Sequence, residues 1–256
     1  MPMISYSTNF EDVMLNRVFR DVADGTYIDV GAFKAEQDSN TYALYARGWS
    51  GIVCDPIFAF ESAWVRQWRM LRPRDKVVRD AIGAEVGQTT FYMCNFRGLS
   101  TCNRAIVDRH VAAHSSNTVT GGSPVSMVTL DRVIERACDG KAPDLVCIDV
   151  EGGEGDVLKG IDLAKYRPKL FVIEAYNSGD LTPHYHDWEQ LLFDQGYVCA
   201  WDDRVNRWYV EAAFARNLNG AFDFPPNVTD DFLPFKQYEL QRRLEDYEAN
   251  RATLAS

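Results

Sequence analysis

The chain of 256 residues is long enough for one large domain or two small ones with a buried core. Its net charge of −10 repels a nucleic-acid backbone, which argues against DNA or RNA as a partner. No apolar run is long enough to cross a bilayer. The opening MPMISYSTNFED lacks the basic and apolar regions of a signal peptide, so a cytoplasmic location is expected.

TYIDV (26–30) reads as a strand. SNTYALYARG (39–48) reads as a helix, with Ser39 as N-cap and Gly48 near its end. GIVCDP (51–56) is a strand stopped by Pro56, 57–71 a helix, and KVVRDAIG (76–83) a further strand. Within 66–79, Arg66, Arg69 and Arg72 share one helix face. That face is either solvated or a landing patch for a phosphorylated or lipid-linked substrate.

An insertion at about 84–128 then interrupts the pattern. It holds a strand, TTFYM (89–93), a helical stretch, RAIVDRHVAAH (104–114), and a Ser/Thr/Gly-rich loop, HSSNTVTGGS (114–123). DLVCIDV (144–150) and KLFVIEA (169–175) are almost wholly apolar, as strands buried on both faces of a parallel sheet are. GGEGDVLKGID (152–162) and HDWEQLLFDQG (186–196) read as helices ended by Gly160 and Gly196. YVCAWDDRVNRWYVEA (197–212) reads as an antiparallel hairpin. The alternation predicts an α/β, Rossmann-like domain over 1–212: a doubly wound, mostly parallel sheet with a terminal antiparallel hairpin. Residues 213–256 form an extension with a charged surface helix. The six cysteines show no C-x-x-C and no zinc-type spacing. Cys54, Cys147 and Cys199 lie in apolar runs and read as small buried hydrophobes.

In such sheets ligands bind at the carboxyl ends of the strands, near the switch in strand order. That places Asp29, Gly31, Asp55, Asp80, Ala81, Asp149, Glu151 and Glu174 on one rim. So many acids repel a pyrophosphate. The dinucleotide pattern also fails, because Phe33 and Glu36 stand where it needs glycine, and no GxxxxGK[ST] is present. S-adenosylmethionine, cationic and without phosphate, fits better. Asp29 would hold its ammonium, Gly31 and Ala32 would let the backbone approach, Asp55 would accept the ribose hydroxyls, and Asp80 or Ala81 would meet adenine. Taken singly, each acid could equally cap a helix or sit in a turn.

Several segments, in this order, resemble the FkbM-type S-adenosylmethionine-dependent methyltransferases: SYSTNFEDVMLNRVF (5–19), GTYIDVGAF (25–33), RGWSGIVCDP (47–56), TTFYMCNFRGLST (89–101), VTLDRVI (128–134) and LVCIDVEGGEGDVLKGIDL (145–163). FPPNVTDDF (224–232) resembles a bacterial subset of them. The resemblance implies a class I methyltransferase fold and O-methylation of a hydroxyl, often on a sugar or natural product. The chain departs from it at Asp55-Pro56, where Glu-Pro is usual, and at Gly153, where many members have alanine.

Methyl transfer to an alcohol needs in-line positioning and a proton acceptor. Asp149, Glu151, Glu174, His184 and His186 are the candidates near the methyl group. Asp149 is expected to point to the rim, Glu174 to orient the acceptor hydroxyl, and Glu151 to turn to the next helix N-terminus or assist catalysis. His184 and His186 serve as base or merely begin a helix. Asp149 and Glu174 could share a divalent ion, although no metal is favoured. His110 and His114, one turn apart, read as a solvated helix face. GLST (98–101) is a lid loop or a turn. Asn9, Glu11 and Asp12 close over the methionine part or cap a helix. The six tryptophans read as core rather than sugar-stacking surfaces. The chain therefore reads as a cytoplasmic O-methyltransferase of a sugar or glycan hydroxyl in bacterial surface glycan assembly. The alternatives are a methyltransferase of a polyketide or other small-molecule hydroxyl, and a non-catalytic binding module in a glycan-assembly complex.

Overall fold

The computed structural model describes residues 2–113, 115–218 and 220–254. The chain opens with strand β1 (Met3–Ser5) and helix α1 (Glu11–Val18), then alternates β2 (Thr26–Val30), α2 (Tyr42–Ala46), β3 (Ser50–Cys54), α3 (Ser62–Leu71) and β4 (Lys76–Val78). The insertion contributes β5 (Ala81–Ile82), β6 (Gly87–Cys94), α4 (Arg104–Ala113) and β7 (Val119–Val128). α5 (Leu130–Ala137), β8 (Leu145–Ile148), α6 (Glu154–Lys159), β9 (Leu170–Glu174), α7 (Glu189–Phe193), β10 (Tyr197–Asp202) and β11 (Asn206–Glu211) complete the main layer. α8 (Ala212–Ala215), β12 (Phe232–Pro234) and α9 (Phe235–Leu254) follow.

The seven-stranded sheet has the order β10-β11-β9-β8-β2-β3-β4. Neighbours from β9 to β4 run parallel, and β11 enters antiparallel between β9 and β10. This is the mainly parallel α/β architecture, with its closing hairpin, that the alternation predicts. Alternate strand residues face opposite layers. Ile28, Val30, Ile148 and Ile173 pack under α5, α6 and α7, while Tyr27, Cys147, Val172 and Trp208 pack under α1 and α2. Order switches between β2 and β8, where chains diverge and a crevice opens.

Four local expectations are corrected. The helix over 39–48 shrinks to Tyr42–Ala46 because its intended cap is used elsewhere: Ser39 Oγ accepts from Arg72 Nη1 at 3.1 Å. The helix over 57–71 breaks after a 3₁₀ turn at Pro56–Ala59. The strand over 76–83 divides, with β4 pairing β3 and β5 leaving to join β7 in a separate three-stranded sheet. The second half of the Gly-rich loop is strand: β7 pairs with β6 from Val119 on, and Gly122 sits opposite Tyr92, where a Cβ would come within 3.1 Å of the ring.

The arginine face is also divided. Arg66 and Arg69 are exposed, but Arg72 is 1 % exposed and bonds inward to Asp75, Tyr27, Ser39 and Thr41. A landing patch of three arginines does not form. The extension folds back on the start of the chain. β12 runs parallel to β1, and Arg17 donates to both carboxylate oxygens of Asp230 and to the carbonyls of Phe224 and Pro225. α9 is the charged surface helix expected there. Trp49, Trp68, Trp188 and Trp208 are buried, as core residues are. No helix among the described residues is long and apolar enough to cross a membrane.

Candidate active site

A cavity of about 790 Å³ lies over the switch point, within the roughly 300–1,000 Å³ typical of small-molecule sites. Its walls come from the turns after β2, β3, β4 and β8, closed on one side by residues 96–104 of the insertion. The β2 turn is fixed by neighbouring backbone. Gly31 has φ +86°, donates to the Cys54 carbonyl at 2.8 Å, and would place a Cβ 1.6 Å from the Asp149 carbonyl oxygen. Glycine is required there by the adjacent strand end, whatever ligand approaches.

The rim acids take different positions. Asp29 does not line the cavity. Its carboxylate accepts from Thr41 Oγ1 at 2.7 Å, and that hydroxyl accepts from Arg72 Nη2 at 2.9 Å. Burial still pushes the Asp29 carboxyl up. Ala32, 5 % exposed, packs beside Val53 and Ile57. Asp55 does line the cavity. One oxygen accepts from Ile57 N at 2.9 Å, capping the 3₁₀ turn, and the other from Phe33 N at 3.1 Å. Each oxygen keeps a free lone pair. Burial raises its pKa to about 6 against these two bonds. Asp80 and Ala81, where the chain leaves one sheet for the other, also line the cavity.

The cations of the wall are already paired: Lys34 with Asp38 at 2.7 Å, Arg97 with Glu61 at 3.3 Å, Arg104 with Asp108 at 2.9 Å. Among the described residues no ion pair reaches Asp55, Asp80 or Asp149. The uncompensated charge facing this cavity is therefore negative, which favours a cationic ligand and opposes a phosphate.

After β8 and β9 the acids crowd. Asp149, Glu151 and Glu174 bring carboxylate oxygens within 4.8 Å of one another, a spacing that shared protons or a divalent ion could bridge. Asp149 is solvent-accessible, but through the concave cavity wall. Protein around it and then Glu151 and Glu154 push its carboxyl well above the ordinary range. Glu174 is buried and raised likewise, by burial first and then by Asp149. Ser178 Oγ lies 3.2 Å from Glu151 Oε1 and 3.3 Å from Glu174 Oε1. One hydroxyl has one proton, so it donates to one carboxylate and accepts from the other in protonated form. Glu154 accepts from Val150 N and Gly152 N, and burial raises its pKa to about 7.

The two histidines after β9 stand apart from this cavity. His184 and His186 line a second one of about 480 Å³, which shares Asn103, Gly152, Gly153 and Asp156 with the first. His184 Nδ1 lies 3.8 Å from Glu154 Oε2, and burial lowers its pKa. His186 is exposed, 3.6 Å from Glu189.

Other residues were hidden from sequence reasoning. His110, expected on a solvated face, is 3 % exposed and reaches Glu151 Oε2 at 3.3 Å. His114 lies outside the described residues. Thr101 Oγ1 donates to the Glu151 carbonyl at 2.8 Å and Asn103 Nδ2 to that of Gly152 at 3.2 Å. GLST thus supplies cavity wall: Gly98 to Thr101 all line it. Asn9, Glu11 and Asp12 face elsewhere. Asp12 accepts from Ser5, Tyr6 N and Ser7, and Glu11 from Asn9 N and Asn206, tying down the start of α1.

A mainly parallel α/β sheet with an acid-lined cavity at its switch point is the form of a Rossmann-like methyltransferase. The family model of the methyltransferase FkbM domain matches residues 29–199, and the chain belongs to that family. No curated protein matches it.

Proposed function

We propose that the chain is a class I, S-adenosylmethionine-dependent O-methyltransferase acting on a sugar hydroxyl, with its acceptor in bacterial surface glycan assembly. The observation that carries this reading is the first cavity, whose uncompensated charges among the described residues are carboxylates. A sulfonium and an ammonium suit that wall, and the free lone pairs of Asp55 suit a ribose diol. Asp80 and Ala81 would stand at the adenine end and Asp149 at the methyl end. Asp29, turned to Thr41, supports the β2 turn from behind; that replaces a direct contact with the ammonium.

The cofactor supplies an electrophilic methyl group when bound. The chain's own residues do the rest. Asp149 faces the cavity and takes the proton of the acceptor hydroxyl as the oxygen attacks, its high proton affinity making it a stronger base than an exposed carboxylate. Glu174 and Glu151 keep that affinity high by crowding it. His184 and His186 line the second cavity, which we assign to the rest of the acceptor. This chemistry needs no metal, although the spacing of the three acids would accept one. The unpaired cysteines suit the reducing cytoplasm. A second reading, methylation of an apolar natural product, draws on Phe91, Phe96, Leu99 and Met127 in the first cavity.

Calorimetric titration with S-adenosylhomocysteine, with NAD as control, tests the cofactor. Binding of the first alone is expected; binding of neither, or of NAD, overturns the reading. Transfer of labelled methyl to a panel of sugars and polyketide alcohols then separates the two acceptor classes.

A further inference from the structure

Glu151 lies at a left-handed turn, with φ +56°, followed by Gly152 at φ +89°. Three side chains of the insertion hold this turn: Thr101 and Asn103 on its carbonyls, His110 on the Glu151 carboxylate. Ser178, from the loop after β9, takes the other carboxylate oxygen. Glu151 lines the cavity beside Asp149, but both of its carboxylate oxygens are engaged, whereas Asp149 is exposed there.

We propose that His110 is a positioning residue that tethers Glu151, so that Asp149 alone of the clustered acids meets the methyl group. Resting on the methyltransferase reading, this gives the buried histidine a purpose in the reaction. A second free carboxylate near the sulfonium would stabilise the bound ground state, where the positive charge is fullest. That charge is dispersed as the methyl leaves sulfur. Such an interaction tightens binding and slows transfer. His110 and Ser178 prevent it.

The test compares affinities for S-adenosylmethionine and S-adenosylhomocysteine, which differ by one methyl and the sulfonium charge. A purely structural role of His110 would change both affinities alike. In His110→Gln the preference for the sulfonium ligand should rise about tenfold, the scale of one added charge-assisted contact. Adding Glu151→Gln should abolish the rise. Ser178→Ala, which removes only the second tether, should raise the preference by a smaller factor and serves if His110→Gln does not fold. An unchanged or reduced preference in the folded variant overturns the proposal. Failure of the unmodified chain to bind either ligand overturns instead the methyltransferase reading on which it rests.

Discussion

The two halves of the rim hold their acids in opposite ways. On the β2–β3 side each carboxylate has its own donors: Thr41 for Asp29, and the amides of Ile57 and Phe33 for Asp55. On the β8–β9 side burial and the neighbouring acids raise the proton affinity of Asp149, Glu154 and Glu174, and within the Asp149–Glu151–Glu174 cluster the side-chain partners are one imidazole and one serine. The first arrangement fixes acceptor atoms in space, which is what recognition requires. The second concentrates charge so that a proton has somewhere to go, which is what transfer from a weakly acidic hydroxyl requires.

The seam between the halves gives the largest expected effect. Gly31→Ala sets a Cβ against the Asp149 carbonyl in a left-handed conformation. It should cost more than about 3 kcal/mol, read as the midpoint of denaturant unfolding. A midpoint like that of the unmodified chain would mean that the halves are not locked together. Next, Asp55→Ala should weaken S-adenosylhomocysteine binding by about 10–100-fold, the scale of lost hydrogen bonds to a charged group. Calorimetry showing unchanged affinity would remove Asp55 from recognition.

Opposite signs are expected from two smaller changes. Thr41→Val leaves a buried Asp29 without its donor and should destabilise by about 1–3 kcal/mol. Glu174→Gln relieves crowding and should stabilise, by about 1 kcal/mol at pH 8. Because the folded-state pKa of Glu174 is raised, its contribution is complete below the ordinary carboxylate range and is lost as pH rises towards the folded value. The gain from the substitution should therefore grow with pH. Equal signs in thermal melts would erase the distinction between the halves. A separate pH effect falls outside the rim. Glu11, whose pKa burial raises to about 7, makes the fold less stable as pH rises from about 4.5 through 7, and Glu11→Gln should flatten the melting temperature between pH 5 and 8.

Strand positions were legible because burial on both faces leaves nearly continuous apolar runs; TYIDV, read as a strand over 26–30, matches β2. The acids at strand ends followed from the same reading. Their partners did not. Whether Asp29 faces a ligand or Thr41 depends on which layer it faces, and Tyr27 and Asp29 both point to the α1–α2 side, towards Arg72. His110 looked solvated because Arg104, Asp108 and Arg109 precede it on α4, and the fold of the insertion brings it to Glu151. The glycines of β7 resembled a loop because glycine lowers strand propensity, whereas here Gly122 makes room for Tyr92.

The pairing of β1 with β12 joins Met3 to Phe232 and Ser5 to Pro234. Such distant pairing costs little at equilibrium, since closure entropy grows only with the logarithm of length. Its consequence is for the order of events during synthesis. β1 waits for residues 232–234 to leave the ribosome before its partner exists, and Glu11 likewise waits for Asn206. The parallel sheet can assemble in the meantime, so that this clasp is among the last contacts to close and the first that a shortened chain would lack.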